Sequence, residues 1–130
     1  MQIERNFFNG HFAEPASATQ IAVDAAATAQ KTWGKLTSIQ RAEHLRAFAG
    51  ALETCAESIG KALASESGKS LDDASNEARY AAQITRYHAE WARRIEGEII
   101  PSDTPDENLF LQREPIGVVA CLIPFNYPVY

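Results

Sequence analysis

Residues 116–129 read IGVVACLIPFNYPV, and this stretch decides the fold that we predict for the whole chain. It contains VVACLI, a continuous apolar run that is typical of a strand buried on both faces of a sheet. A strand of this kind is stable only when further strands lie beside it, and the residues before it have mainly helical patterns. We therefore predict an α/β fold in which a helical part comes first and the sheet starts near residue 118.

The second half of the stretch is a bend that holds one amide side chain between two prolines. Pro124 and Pro128 fix their own φ angles, and each pushes the residue before it, Ile123 or Tyr127, towards extended geometry. Ligands of open α/β sheets bind at the carboxyl ends of strands, where this bend would lie. Asn126 offers N–H donors without a net charge. Two interpretations stay open from the residues alone: Asn126 holds a developing oxyanion, or it is an ordinary turn residue.

The residues before this stretch predict a short hairpin and a first helix. The hairpin is FFNGHFAEP, with Asn9 and Gly10 as its turn. Ser17 and Gln20 have the spacing of a capping box at the start of the helix. Ile21, Ala25, Ala29 and Trp33 recur at a spacing of four and form an apolar stripe on this helix. Gly34 follows the stripe and predicts the end of the helix.

Two further helical regions follow. One begins near Ser38 and ends at Gly68, with a possible break near residues 55–57 because one helix of that length would be unusual. The other begins at Asp72 or Asp73 and has two apolar faces, so we expect it to pack on both sides. The two faces are Ala74, Ala78, Ala81, Thr85, His88, Ala92 and Ile95, and Tyr80, Ile84, Tyr87 and Trp91.

The composition argues against several classes of function. The formal net charge of the 130 residues is −5 and the basic residues are scattered, so no face for nucleic acid is indicated. No apolar run approaches the roughly 20 residues of a membrane helix, and MQIERNFFNG has no signal-peptide core. The histidines and the two cysteines lack metal-ligand spacing, so we predict no metal site. The cysteine content favours a reduced, cytoplasmic setting.

Five segments, in order, resemble the aldehyde dehydrogenase superfamily. They are FNGHFAEPAS, AAATAQKTWGKLTSIQRAEHLRAFAGALE, LASESGKSLDDASNEA, RYHAEWARRIEGEIIPSD and REPIGVVACLIPFNYPV. The third is similar to the family's E-x-G-K-P-L-x-x-A-x-x-E, with Ser70 in place of the common proline, and the last contains the pattern P-[W/F]-N-[F/Y]-P. The resemblance implies an α/β fold: the N-terminal helical part of the family's dinucleotide-binding domain, the start of its sheet and the oligomerisation hairpin.

The resemblance also implies roles for individual residues. Asn126 matches the asparagine whose amide helps to form the oxyanion hole, once a cysteine has attacked the aldehyde to give a thiohemiacetal. Ile123, Pro124 and Phe125 match positions beside the nicotinamide and ribose of NAD or NADP, and Phe125 replaces a tryptophan that many members have. The family can hold a structural monovalent cation near the start of the long helix, which Glu77 could approach; a solvated acidic residue is the alternative.

The same resemblance divides the chain. Residues 1–107 would form the N-terminal hairpin and helical part of the cofactor-binding domain, residues 108–118 the oligomerisation strand, and residues 119–130 the first buried strand and the oxyanion loop. The hairpin from Leu109 to Val118 would pair subunits into a dimer or tetramer. The family's nucleophilic cysteine and general-base glutamate lie further downstream, so we expect the 130-residue chain alone to be inactive. Cys121 is predicted to be a buried structural residue of the apolar run.

Three interpretations of function stay open. The chain is a piece of a longer NAD(P)-dependent aldehyde dehydrogenase; or it is a short product of a truncated gene that is inactive or pairs with a separate C-terminal half; or it is a non-catalytic helical interaction module whose terminal hairpin adds a strand to a partner sheet. The segment IPFNYPV, with a phenylalanine before Asn126, resembles the same segment of family members that act on small hydroxy- or semialdehydes.

Overall fold

The computed structural model describes residues 6–8, 11–13 and 15–130, with side chains from Gln20 onward. In chain order its elements are β1 (Asn6–Phe8), β2 (His11–Ala13), α1 (Pro15–Trp33), α2 (Ser38–Thr54), α3 (Ala56–Ser67), α4 (Leu71–Glu90), a 3-10 turn (Trp91–Arg93), β3 (Glu98–Pro101) and β4 (Asn108–Leu111). They form two compact units. The first holds β1, β2 and α1 with Glu114–Ala120, and the second holds Thr37–Arg113 with Cys121–Tyr130.

The first unit contains the predicted N-terminal hairpin. β1 and β2 pair antiparallel, with Phe7 opposite Phe12 and Phe8 opposite His11. The prediction of two paired strands here is therefore confirmed. Asn9 and Gly10, the predicted turn residues, lie outside the described residues.

The helix α1 of the first unit begins earlier than predicted. It starts at Pro15 rather than next to Ser17, because proline is well tolerated at the first helical position, where its missing N–H has no helical partner to lose. At the other end the Gly34 N–H donates to the Gln30 carbonyl at 2.9 Å, which closes the last turn near the predicted end.

The second helical region of the prediction consists of two helices. α2 begins at Ser38 behind a capping box, in which the Gln40 N–H donates to Thr37 Oγ1 at 3.3 Å and the Thr37 N–H donates to Gln40 Oε1 at 2.9 Å. The helical conformation is interrupted at Cys55, and α3 follows. Gly68 ends α3 with a φ of 74°, in the left-handed region that favours glycine. The predicted start, break and end are confirmed.

The long helix α4 begins one residue before the predicted aspartates, at Leu71. Ser70 is its N-cap, and its Oγ accepts the N–H of Asp73 at 3.1 Å. Serine is one of the residues preferred at this position, because its hydroxyl satisfies a backbone N–H of the first helical turn.

The core of the second unit lies where α4 packs against α2 and α3. The buried apolar residues are almost all small: Ala42, Ala49, Ala56, Leu63, Ala74, Ala78, Ala81, Ala82 and Ala89. Alanines at helix contacts allow the axes to come close, so backbone atoms pack with few side chains between them. The alanine positions of the first predicted face of α4 are thus confirmed as core at residues 74, 78 and 81.

The contact between Gly60 of α3 and Ser75 of α4 is the tightest example of this packing among the helix glycines. A Cβ on Gly60 would lie 2.2 Å from Ser75 Oγ and 2.8 Å from the Ser75 backbone nitrogen. Ser75 is only 1% exposed, and its hydroxyl finds no hydrogen-bond partner in the described part of the chain. An unpaired buried hydroxyl costs about 1–3 kcal/mol, so Ser75 destabilises the contact that it fills.

Ser75→Ala is therefore expected to leave the free energy of unfolding unchanged or to raise it by about 1 kcal/mol, because it removes the unpaired hydroxyl and keeps the Cβ. Urea denaturation of the protein measures the change. Ser70→Ala is the matched control: it removes the N-cap of α4 and should lower stability by about 1 kcal/mol. If Ser75→Ala cost as much as Ser70→Ala, the hydroxyl would have a partner.

The second predicted face of α4 remains open within the described residues. Tyr80, Tyr87 and Trp91 keep 45%, 53% and 42% of their surfaces exposed. Tyr87 and Trp91 contact each other edge to face, with ring centroids 6.3 Å apart. The expectation that α4 packs on both sides is thus met on the alanine side, and the aromatic side is only partly covered. In the described part of the chain, no helix is both long and apolar enough to cross a membrane.

The second unit also contains a hairpin of β3 and β4. The strands pair antiparallel from Glu98 opposite Leu111 to Pro101 opposite Asn108, and every residue of both strands is exposed. The strand predicted over residues 108–118 therefore ends at Leu111. The hairpin predicted from Leu109 to Val118 is not formed, because β4 pairs with the preceding strand β3 and no described strand follows it.

The buried strand predicted at the start of residues 119–130 is not formed. Residues 112–124 belong to no strand, and Leu122 and Ile123 are 98% and 52% exposed. The reason is physical: a central strand is held by ladders on both edges, and none of the described strands pairs with this run.

Candidate functional site

The proline-bracketed bend occupies residues 124–128 of the second unit. Phe125 and Asn126 form a turn, and Tyr127 and Pro128 continue it as a bend. Asn126 is exposed, and Phe125 keeps 86% of its surface exposed. Within the described part of the chain no hydrogen bond engages the Asn126 carboxamide, so its donors are available to a ligand.

The chain after the bend is held by Glu77 of α4. Only 1% of the Glu77 side chain is exposed. Its Oε1 accepts the N–H of Val129 at 2.9 Å, and its Oε2 forms an ion pair with the ammonium of Lys69. A buried carboxylate is stable only when it is paired and hydrogen-bonded, and Glu77 has both kinds of partner. The expectation of a solvated acidic residue at this position is therefore wrong.

Lys69 connects the start of α4 to the bend. It lies between Gly68, which ends α3, and Ser70, which caps α4. Besides its ion pair with Glu77, its ammonium lies 4.2 Å from the centroid of the Tyr127 ring. Such a cation–π contact contributes about 0.5–1 kcal/mol at an exposed site and more when it is desolvated. Lys69 and Glu77 therefore contact the bend on both sides of Pro128.

Two tyrosines extend this contact along α4. The rings of Tyr80 and Tyr130 are tilted against each other with centroids 4.6 Å apart, and the Tyr127 ring meets Tyr130 edge to face at 6.2 Å. The pKa of Tyr130 is raised above the ordinary 10.0, first by a side-chain hydrogen bond with Tyr80, then by charge repulsion from Tyr80 and by partial desolvation of Tyr130. Because the folded pKa is raised, this contact is at full strength below pH 10 and weakens as the pH rises through that pKa.

A cleft of about 430 Å³ lies between α4 and the bend. It is lined by Lys69, Asp73, Asn76, Glu77, Tyr80, Tyr127 and Tyr130. Neither Asn126 nor residues 123–125 line it. The cleft therefore belongs to the side chains that support the bend, and Asn126 is not part of its lining.

The comparison with known families is decisive. The model of the aldehyde dehydrogenase family matches residues 10–130. The chain belongs to the aldehyde dehydrogenase family. Lactaldehyde dehydrogenase of Escherichia coli (strain K12) is 40% identical over 109 residues, which are 84% of this chain and 23% of that protein.

Solved structures of aldehyde dehydrogenases have the same fold over most of the chain. An aldehyde dehydrogenase from Brucella melitensis biovar abortus 2308 superposes with a TM-score of 0.79 at 32% identity, covering 93% of this chain and 26% of that one. The NADP-dependent glyceraldehyde-3-phosphate dehydrogenase from Bacillus halodurans C-125, complexed with NADP, gives a TM-score of 0.77 at 32% identity, with 93% and 28% covered.

These comparisons confirm the predicted family and the predicted α/β fold class of its N-terminal part. The chain spans about a quarter of the length of these aldehyde dehydrogenases, namely 23%, 26% and 28% of the three named above.

The four residues that the family resemblance assigns to the site follow one another in the chain. Ile123 is 52% exposed, Pro124 is exposed, and Phe125 and Asn126 form the turn beside them. The structure places all four on one accessible segment, and their roles stay predictions. Cys55 and Cys121 are both free and exposed, so the expectation of a buried Cys121 is wrong, because the strand around it does not form. No three described His, Cys, Asp or Glu residues are placed to hold a metal ion.

Sequence reasoning missed the support that Glu77 and Lys69 give to the bend. One signal was present: Glu77 follows Ala74 by three residues and precedes Ala81 by four, which places a carboxylate on the buried face of α4. A charged residue on such a face needs a buried partner, and Lys69 and Val129 supply it here.

Proposed function

We propose that this chain is the N-terminal part of an NAD(P)-dependent aldehyde dehydrogenase in which Asn126 donates a hydrogen bond to the reacting oxygen. One observation supports this most strongly: within a segment that matches the family, the Asn126 carboxamide is exposed on a turn between two prolines and is not engaged by the described chain. An asparagine that served only as a turn cap would donate to or accept from nearby backbone.

The chemistry needs a neutral donor at this point. A cysteine thiolate, supplied by the family's downstream part, adds to the aldehyde carbon and gives a thiohemiacetal whose oxygen carries the negative charge. An Asn126 N–H stabilises that oxygen, and it cannot neutralise it by giving up a proton as an acid would. When the C=O bond re-forms, hydride leaves the same carbon and an enzyme thioester remains, which water hydrolyses to the acid. NAD or NADP, when bound, accepts the hydride.

We propose that Ile123, Pro124 and Phe125 lie against the nicotinamide and ribose of NAD or NADP. All three are exposed, and Phe125 at 86% offers an accessible aromatic face. An apolar segment of this kind excludes water beside a planar ring without supplying charge. Pro124 fixes its own φ and favours extended geometry at Ile123, which restricts the backbone that leads into the turn of Phe125 and Asn126.

We propose a small hydroxyaldehyde or semialdehyde as the substrate. The phenylalanine before Asn126 supports this class by resemblance. The names of two relatives point the same way, since lactaldehyde and glyceraldehyde 3-phosphate both carry a hydroxyl beside the aldehyde.

We propose further that the predicted pairing segment, Leu109–Val118, joins subunits of a cytoplasmic homo-oligomer, a dimer or a tetramer, through its first residues, which form β4 of the β3–β4 hairpin. Ile99 and Phe110 face each other across the hairpin and are 72% and 74% exposed. Exposed apolar residues on a short two-stranded sheet are typical of a surface that another chain covers.

The same hairpin is what a non-catalytic interaction module would use to add a strand to a partner sheet. The dehydrogenase is the better supported of the two functions, because the family match extends over residues 10–130 and includes the segment around Asn126, which a module of that kind does not need.

The full-length protein is expected to reduce NAD or NADP when a small hydroxyaldehyde or semialdehyde is added, and absorbance of the reduced nicotinamide measures it. The 130-residue chain alone should show no enzymatic rate, since the cysteine and the general base of the mechanism lie outside it. A full-length protein that oxidises none of these aldehydes with either cofactor would contradict the proposal, and so would turnover by the short chain.

A further inference from the structure

We propose that Glu77 and Lys69 are positioning residues that hold the Asn126 turn in place, an inference that rests on the function proposed above. Neither is in the segment of predicted site residues. Both act through residues that follow Asn126: Lys69 through the Tyr127 ring, and Glu77 through the backbone of Val129. We refer to Glu77, Lys69 and these two contacts as the clamp.

The clamp joins two parts of the chain that are distant in sequence. Val129 donates to a carboxylate 52 residues earlier in the chain. A backbone N–H bonded to a buried carboxylate is a charge-assisted hydrogen bond, which is stronger than a bond between neutral groups. Since Glu77 sits in the alanine-lined core of α4, its carboxylate has a fixed position relative to the helix packing.

The backbone between Glu77's contact at Val129 and Asn126 has few free angles, so the position of Val129 restricts that of Asn126. Tyr127 is the next residue, and Pro128, between the two clamped residues, has only one accessible range of φ. Tyr127, which precedes a proline, is itself restricted to extended geometry. With Tyr127 and Val129 held, few backbone angles are left to move the Asn126 carboxamide. A donor for an oxyanion must be placed to within a fraction of an ångström, so the clamp acts on the rate through geometry.

A purely structural role of Glu77 in helix packing is the alternative. The chain offers a matched control for it, because Glu57 of α3 forms an ion pair with Arg79, two residues after Glu77 on the same helix. This ion pair joins α3 to α4 at an exposed surface, with the Arg79 and Glu57 side chains 41% and 63% exposed. Its hydrogen bonds within the described residues do not include the bend. Glu57→Gln therefore removes an exposed carboxylate that pairs with α4, and it changes no residue of the clamp.

The first measurement is amide exchange at Val129 by NMR, which does not depend on catalysis. Glu77→Ala is expected to speed exchange of the Val129 N–H about tenfold or more, because the opened bend leaves it to water. Glu77→Gln keeps one oxygen that can accept the N–H and should give an intermediate rate. Glu57→Gln should leave the rate as in the parent. Exchange of the α4 amides in the same spectra shows whether each variant is folded.

The second measurement is a double-mutant cycle in the full-length enzyme. Glu77→Ala is expected to lower kcat by about 10- to 100-fold while the KM for the aldehyde stays within about threefold, with Glu77→Gln between it and the parent. The double variant with Asn126→Ala should be no slower than Asn126→Ala alone, because a donor that has been removed cannot be misplaced. Glu57→Gln should keep the parent kcat.

The outcomes separate the two proposals. The clamp would be overturned if the Val129 N–H exchanged at the parent rate in a folded Glu77→Ala variant. It would also be overturned if the losses in kcat of Glu77→Ala and Asn126→Ala were additive. In either case a loss of kcat in Asn126→Ala would still support the proposed function. An Asn126→Ala enzyme with the parent kcat would overturn the proposed role of Asn126 and, with it, the positioning role of the clamp. Faster exchange of the Val129 N–H in Glu77→Ala would then show only that Glu77 makes a structural contact. Faster exchange together with a non-additive cycle supports the clamp.

Discussion

Asn126→Ala in the full-length enzyme is expected to lower kcat by about 10²–10³-fold, the usual loss when one side-chain donor is removed from an oxyanion hole. In the role that we propose for Asn126, its neutral carboxamide stabilises the charge that develops on the aldehyde oxygen, and it does so more in the transition state than in the bound substrate. Asn126 is exposed and has no competing bond in the described chain, so removing it should not disturb folding. Steady-state kinetics with the aldehyde saturating measure the loss.

Asn126→Asp is the informative companion. It keeps the size of the side chain but replaces both N–H donors with a carboxylate, which repels the oxyanion. The loss should be at least as large as that of the alanine variant. An aspartate enzyme with the parent kcat would mean that the side chain contributes shape rather than hydrogen bonds.

Gly60→Ala is expected to lower the free energy of unfolding by about 2–3 kcal/mol. The added Cβ would lie 2.2 Å from Ser75 Oγ, and it would also lie 2.8 Å and 2.9 Å from the Ser75 backbone N and Cα. The side-chain clash could be relieved by rotation, but the backbone contacts can be relieved only if α3 moves away from α4. Urea denaturation measures the loss.

Gly50→Ala on α2 is the control for this prediction. Nothing lies within 4 Å of a Cβ built on Gly50, so alanine meets no obstacle there. In a helix interior alanine is favoured over glycine by about 0.5–1 kcal/mol, so this variant should be more stable than the parent. Two glycine-to-alanine changes of opposite sign would establish the close approach of α3 and α4, whereas a stable Gly60→Ala would argue against it.

Much of the helical part could be predicted because its signals are local. Gly68 ends α3 as predicted, because glycine adopts a φ of 74° at little steric cost. The predicted start of α2 near Ser38 is also local, since the Thr37–Gln40 capping box that the structure shows lies within four residues of sequence. The alanines of α4 recur at helical spacing, and they are buried as that pattern predicts. Each of these features depends on residues within one or two turns of each other.

The partners of Glu77 and the failure of the predicted strand after residue 118 to form could not be predicted, because both depend on parts of the chain that are distant in sequence. From the sequence, Glu77 looks like the solvent-exposed acidic residues that are common near the start of a helix. It becomes a buried hydrogen-bond acceptor only because the chain returns to α4 at Val129. The run around Leu122 has strand composition, but composition does not supply the neighbouring strands that would bury it. At Asn126 the turn conformation was predictable from the prolines, while its chemistry depends on groups that face it.

We propose that the Asn126 carboxamide stabilises the oxyanion from which hydride leaves. The most direct test is the rate of the first-turnover burst of reduced nicotinamide in the full-length enzyme, with aldehyde and cofactor saturating, because this burst reports hydride transfer before product release. We expect a burst slowed by about 10²–10³-fold in Asn126→Ala, with cofactor affinity unchanged. A burst as fast as that of the parent would contradict it.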